Sequence, residues 1–388
     1  MKIKRFSAIL LGKWLFFLLR LLRRGGTYLP GKAALWLCPD ILSYISQNVE
    51  TILVTGTNGK TTTVNMIAQM LKAECIPYIA TVSGGNIESS ITTEYVRNYD
   101  LLRHKPKAAL AVIECDEKYV PVVLPEVLPR VVVVTNILKD QTDRLGTQED
   151  VFRLFCKAML DSDAVFCLDE TEAYGKRLIA ALAGKNIVPY SVSGKVGQIC
   201  GKQIDLPVHL QGEYNYKNAM AACAALYVQQ RLTENAIKTL KTVSLPFGRM
   251  ERADIAGVSA ILNLSKNESG VYGALRAIAS EGKAYTVVLG FNAQVEDGRD
   301  TSWIGEINWK QYSDILSDVL VSGECSVVTR RALSKNGLPS RNISGYSELL
   351  KKIQSSEKPV FLMMNYTFMM KFRGLLAKKG YVKDFWKT

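Results

Sequence analysis

Lys60 and Thr61 stand in the run Gly56-Thr57-Asn58-Gly59-Lys60-Thr61-Thr62, and their types and spacing suit phosphate chemistry. Glycines let backbone N–H groups approach an anion, a lysine reaches terminal phosphates, and a threonine hydroxyl can ligate magnesium. The first glycine of the general phosphate-loop pattern would fall at position 54, where this chain has Val. Context offsets that departure. The apolar run Ile52-Leu53-Val54 stops at Thr55, and Val64, Ile67, Ala68 and Leu71 take up helical spacing behind Lys60. A strand, a tight turn and a helix start, in that order, predict an ATP site rather than a chance turn.

Other candidates lie where apolar runs end. Glu114 closes A-V-I-E, and a carboxylate after a buried strand beside a phosphate loop is a natural Mg²⁺ ligand; the plain alternative is an exposed strand-end acid. Asp116 and Glu117 follow it. The stretch Thr135-Asn136 to Asp143-Arg144 offers amide, acid and basic groups after the next run. Asn215 and Asn218 share one face of a helix opening at Gly212, where an asparagine could equally be a cap. Arg249, in F-G-R-M-E, stands at a hinge from which an arginine can reach a transferred phosphoryl group, or it is a surface arginine. Asn292 and the block Asp297 to Trp303 read either as a tight loop with a fixed carboxylate or as a charged turn.

The chain has two histidines, His104 and His209, which argues against a Cys–His or Ser–His nucleophile of its own. None of its eight cysteines forms a C-x-x-C pair. They read as buried free thiols of a reducing cytosol, with no zinc site.

The elements that must position these groups alternate. Continuous apolar runs at 108–115, 130–136 and 164–168 read as strands buried on both faces of a parallel sheet. Helices are expected at 148–160, 174–182, 212–229 and 234–242, with shorter, more polar strands over 184–211. Proline and glycine at 244–248 mark a boundary, after which strands restart at 258–264, 285–289, 319–321 and 360–364. The expected division is 1–46, a basic amphipathic helical segment; 47–245, an ATP-binding domain with an open, mostly parallel α/β sheet; and 246–388, a smaller α/β domain.

The net charge of +13 is uneven: residues 1–32 hold eight basic and no acidic residues. The charges are interleaved with Trp14 and an apolar run, which disfavours nucleic acid and suits residues 7–24 to an anionic membrane surface. Packing on its own domain or on a partner is the plain alternative. A signal peptide would need an A-x-A-like site, and none follows.

The succession T-G-T-N-G-K-T-T-T, A-V-I-E, T-N-I-L-K-D-Q-T-D-R, G-E-Y-N-Y-K-N-A-M-A-A and G-R-M-E resembles the central domain of the Mur ligases and their folylpolyglutamate synthase relatives. An amino-acid-adding Mur ligase would carry a D-x-x-H-N-P-type stretch next; here Leu264 to Gly270 read L-S-K-N-E-S-G, and D-G-R-D-T-S-W follows. With G-G-T-Y-L-P-G-K ahead of the first strand, the chain is similar over nearly its whole length to the MurT family, the ATP-binding subunits of lipid II isoglutaminyl synthases. The resemblance implies a Mur ligase-type phosphate-loop domain followed by a smaller α/β domain. It implies ATP-dependent amidation, through an acyl phosphate, of the D-glutamate α-carboxylate of lipid II, with ammonia from a GatD-like glutaminase subunit. By the same resemblance Gly56, Thr57, Asn58, Gly59, Lys60, Thr61, Thr62, Asn136, Asn218, Arg249 and Asn267 serve ATP, and Thr61 and Glu114 hold Mg²⁺. Asp300 would orient the histidine of the partner's Cys–His pair. The chain departs from the family at Glu268-Ser269, at Gly305-Glu306, around Asn292, and in lacking a four-cysteine insertion. A stand-alone ligase adding an amino acid, or a non-catalytic nucleotide-binding scaffold, are the alternatives.

Overall fold

The computed structural model describes residues 2–22, 26–81, 85–139, 146–208, 212–243, 248–298 and 300–383. Contacts divide the chain into two compact units, Met1–Leu138 with Thr147–Ser244, and Lys139–Gly146 with Leu245–Thr388. His209, the 140–144 part of the polar loop, the Ser244–Phe247 boundary, Arg299, and Arg23 and Arg24 of the amphipathic segment lie outside the described residues.

Three helices open the first unit: α1 (Lys2–Leu21), α2 (Leu29–Leu37) and α3 (Ile41–Ser46). Pro39, which has no backbone N–H to donate, lies between the last two. Next come β1 (Glu50–Thr55), α4 (Lys60–Ala73), β2 (Ile79–Ala80), α5 (Glu88–Arg97), β3 (Tyr99–Asp100), β4 (Lys105–Pro106), β5 (Leu110–Glu114), β6 (Val131–Val134) and β7 (Val165–Asp169). β8 (Ile187–Ser193), β9 (Val196–Ile199) and β10 (Lys202–Asp205) complete an eight-stranded sheet ordered β10-β9-β8-β7-β6-β1-β5-β2. It is parallel from β2 through β8, and β8, β9 and β10 pair antiparallel. Every residue of β5 and β6 is buried, so their unbroken apolar runs follow from cover on both faces. α5 was not visible as a period: Ser90 through Val96 are all buried, and serine, threonine and β-branched residues dominate it. α2 and α5 approach so closely that a Cβ on Gly31 would lie 1.8 Å from the Ser89 carbonyl oxygen.

In the second unit β11 (Glu251–Ile255), β12 (Val258–Leu264), β13 (Tyr285–Gly290), β14 (Leu316–Ser322), β15 (Arg341–Asn342) and β16 (Val360–Met364) form a six-stranded sheet ordered β11-β12-β16-β13-β14-β15. Only the β11–β12 pair is antiparallel. One face buries Trp309, Phe291 and Phe361, the other Phe368, Phe372 and Leu376. The cysteines are less uniformly buried than expected. Five are buried and Cys156 is partly covered, while Cys75 and Cys200 are exposed at turns with positive φ.

Candidate functional site

In the first unit β1 lies between β5 and β6, with Val54 opposite Glu114 and Thr55 opposite Val134. Their carboxyl ends therefore bring the phosphate loop, Glu114 and Asn136 to one edge, where open α/β sheets bind ligands. The loop is strictly glycine-dependent. Gly56 has φ +116° and Gly59 +89°, and a Cβ on them would fall 2.4 Å from Thr135 Oγ1 and 2.2 Å from Asn218 Oδ1. Gly59 is also the N-cap of the 14-residue α4 and offers no side-chain cap, which leaves the first-turn N–H groups for an anion.

Asn136 holds the loop from the neighbouring strand end. Its Oδ1 accepts from Asn58 N at 2.9 Å, and its Nδ2 donates to Asn58 O at 3.0 Å. Thr57 N donates to Asn136 O at 2.9 Å, and Leu138 N to Thr57 Oγ1 at 3.0 Å. Asn218 is buried against Gly59 from the helix Glu213–Val228.

Lys60 is buried, and its Nζ donates to Gly56 O, to Thr57 O at 3.1 Å and to Glu117 Oε2 at 3.1 Å. Burial pushes its pKa down, but the carboxylates of Glu117, Glu114 and Asp116 outweigh that and raise it, so it stays charged. Glu117, adjacent in sequence to the predicted acids, is thus the residue that holds the lysine. Glu114 is buried too: its N donates to Thr81 Oγ1 at 2.7 Å and its Oε1 accepts from Asn86 Nδ2 at 3.2 Å, while Oε2 is buried without a hydrogen-bond partner. A buried carboxylate oxygen with no donor is costly. A hard cation relieves that cost, so the residues present fit a magnesium ion. Thr81 and Asn86 were not singled out from the sequence; polar residues just past a short buried strand were the available signal.

In the second unit Leu264, Met364 and Gly290 lie in register at the carboxyl ends of β12, β16 and β13. Asn267 caps the helix Glu268–Ala279, its Oδ1 accepting from Gly270 N at 2.8 Å and Ser269 Oγ at 3.1 Å. Arg249 Nη1 donates to Leu264 O at 3.5 Å. Glu251, from the same G-R-M-E run, pairs with Arg373 at 2.9 and 3.1 Å. Asp300 Oδ1 accepts from Ser302 N at 2.9 Å, and Trp303 meets Phe291 edge-on at 5.3 Å.

The loop carrying Asp300 is anchored by Asn365 and Thr367, which no sequence motif marks. Asn365 Oδ1 accepts from Asn292 N at 3.0 Å, and Asn365 Nδ2 donates to Asn292 O at 2.7 Å. Thr367 N donates to Asp297 Oδ1 at 2.9 Å, and the Thr367 hydroxyl bonds both Asp297 and Asn292. Burial raises the Asp297 pKa, and the bonds from Thr367 pull it back. Among the described residues no group of three or more histidine, cysteine, aspartate or glutamate side chains is arranged to hold a metal ion.

A phosphate loop at the carboxyl edge of a mostly parallel sheet, followed by a second α/β unit, is the Mur ligase architecture. Solved structures bear this out: MurF from Acinetobacter baumannii superposes with a TM-score of 0.71 at 16% identity over 89% of this chain and 80% of its own. Folylpolyglutamate synthase from Thermotoga maritima gives 0.66 at 16% identity, over 89% and 94%. The Mur ligase middle domain matches residues 54–226 and the MurT ligase C-terminal family residues 264–369. The MurT subunit of lipid II isoglutaminyl synthase (glutamine-hydrolyzing) from Streptococcus pneumoniae is 28% identical over 99% of both chains; that from Staphylococcus aureus is 27% identical over 82% of this chain and 85% of its own. Over nearly its full length the chain is thus similar to MurT subunits, and it carries in order a Mur ligase middle domain and a MurT-type C-terminal domain.

Proposed function

We propose that this chain is the ATP-dependent carbon–nitrogen ligase subunit that amidates the D-glutamate α-carboxylate of lipid II, in peptidoglycan synthesis. The observation that carries the reading is the conjunction at one sheet edge of a glycine-dependent phosphate loop and the unpartnered carboxylate oxygen of Glu114. Similarity to MurT subunits over nearly the full length of both chains supplies the substrate.

In this reading Lys60, the loop amides and the α4 N-terminus bind the phosphates, and Thr61 and Glu114 hold a magnesium ion, which neutralises phosphate charge when bound. Asn136 and Asn218 shape the nucleotide site, and the family resemblance gives Arg249 and Asn267 to ATP as well. The α-carboxylate takes the γ-phosphoryl group, releasing ADP. Ammonia then attacks the acyl phosphate, phosphate leaves, and D-isoglutamine remains. A GatD-like glutaminase subunit supplies the ammonia, and Asp300 orients the histidine of its Cys–His pair. The reading keeps the domain division 1–46, 47–245 and 246–388, assigns no zinc, and sets the protein to work at the cytoplasmic face of the membrane, with the N-terminal segment touching it.

The test is phosphate release from ATP by the purified chain given lipid II, with ammonium, or with glutamine and a co-expressed glutaminase. A stem-peptide mass lower by about one dalton, the exchange of OH for NH₂, with glutamine effective only beside the partner, supports the reading. ATP turnover without that mass change refutes the acceptor. One zinc per chain in the purified protein would overturn the assignment of the cysteines.

A further inference from the structure

We infer that the outward face of α1 is a docking surface for an anionic lipid bilayer. Ile3, Phe6, Leu10, Trp14, Phe17 and Leu21 are all exposed, from 43% for Phe6 to 83% for Ile3. At 3.6 residues per turn they fall within about 80° of arc. The other side of the helix is spent on the protein. Ala8, Ile9 and Gly12 are buried, a Cβ on Gly12 would lie 2.8 Å from Val96 Cγ1, and Lys13 Nζ donates to Arg97 O at 2.9 Å. Lys13 is thus committed to the protein, and the apolar stripe faces outward. On α2, Leu29 and Trp36 are exposed as well, the latter at 82%. A firmly seated helix with a continuous apolar outer stripe marks an interaction surface.

Charge selects the occupant. Residues 1–32 carry eight basic and no acidic residues, so a second copy placed face to face would set like charge against like. Anionic headgroups complement it. Lys4, Arg20 and Lys32 are exposed, and tryptophan favours the headgroup level of a bilayer. No helix among the described residues is long and apolar enough to cross a membrane, so α1 would lie in the plane of the interface. The purpose of this surface rests on the lipid-linked acceptor proposed above; its test does not.

The full chain is sedimented with phosphatidylcholine vesicles, with and without phosphatidylglycerol, and without lipid II. Binding only to the phosphatidylglycerol vesicles, a blue shift of tryptophan emission, and release at high salt are expected. Trp14→Ser with Phe17→Ser, both at exposed sites, should lower partitioning roughly tenfold while leaving amidation of a water-soluble stem-peptide acceptor unchanged. No binding, binding independent of anionic lipid, or equal binding by the double variant overturns the inference. So does a dimer or a co-purifying acidic protein that the double variant releases. Vesicle binding without amidation of any acceptor would uphold this surface and refute the catalytic reading.

Discussion

The carboxyl edges of the two sheets handle polar side chains in opposite ways. In the first unit the edge holds groups in reserve: Glu114 keeps an oxygen without a partner, α4 has no side-chain cap, and Lys60 is held by loop carbonyls and Glu117. In the second unit Asn292, Asn365, Thr367 and Asp297 are tied to one another. The first arrangement is costly until a ligand completes it; the second is complete and fixes a loop. On the function proposed above, the first edge would bind ATP and the second would present Asp300.

Substitutions test that contrast. Lys60→Ala should have the largest effect, a loss of turnover on the order of 10³-fold with either ammonium or glutamine. It should also cost about 3 kcal/mol of stability by stranding Glu117 in the interior. Adding Glu117→Ala should restore melting temperature but not turnover; recovery of both would remove the phosphate role. Glu114→Gln, which keeps shape and removes charge, should lower kcat by about 10²-fold and raise the magnesium needed for half-maximal rate. An unchanged magnesium dependence would show that the orphan oxygen is not a ligand. Asp300→Asn should lower glutamine-driven amidation about tenfold or more and spare the ammonium-driven reaction, so parallel losses in the two assays would sink the presenting role.

The smallest effect concerns a buried acid away from both edges. Burial raises the Glu94 pKa from 4.5 to about 6, against the pull of Arg97. With the folded value above the unfolded one, the stability this group contributes is present below pH 4.5 and is lost as pH rises through about 6. Glu94→Gln should therefore stabilise the protein at pH 7 by no more than about 2 kcal/mol, with the gain vanishing in melts below pH 4.5. A gain independent of pH would point to packing instead.

The binding edge was largely legible in the sequence because it is built from local signals. An apolar run ending at Thr55, glycines at 56 and 59 and helical spacing behind Lys60 predict strand, loop and α4. The helix at 148–160 has the predicted bounds, helped by the Thr147–Asp150 capping box. The presenting edge was less legible because its partners are distant in sequence: Asn292 meets Asn365, and Asp297 meets Thr367. Nor does composition show which of Glu114, Asp116 and Glu117 takes Lys60, since that depends on how the chain turns after β5. Asn267, which the resemblance gives to the nucleotide, also caps a helix through Oδ1, a role that asparagine before a helical run announces by itself.

The paired bonds between Asn136 and Asn58 have a consequence for the time scale of the loop. A side-chain amide that both accepts from and donates to one residue's backbone imitates a strand neighbour. The β1–β6 ladder thereby gains a rung beyond its last strand residue. In hydrogen exchange the Asn58 amide should then be protected with the slow amides of β1 rather than exchange as a surface turn. The phosphate cradle would open only when the sheet edge itself frays.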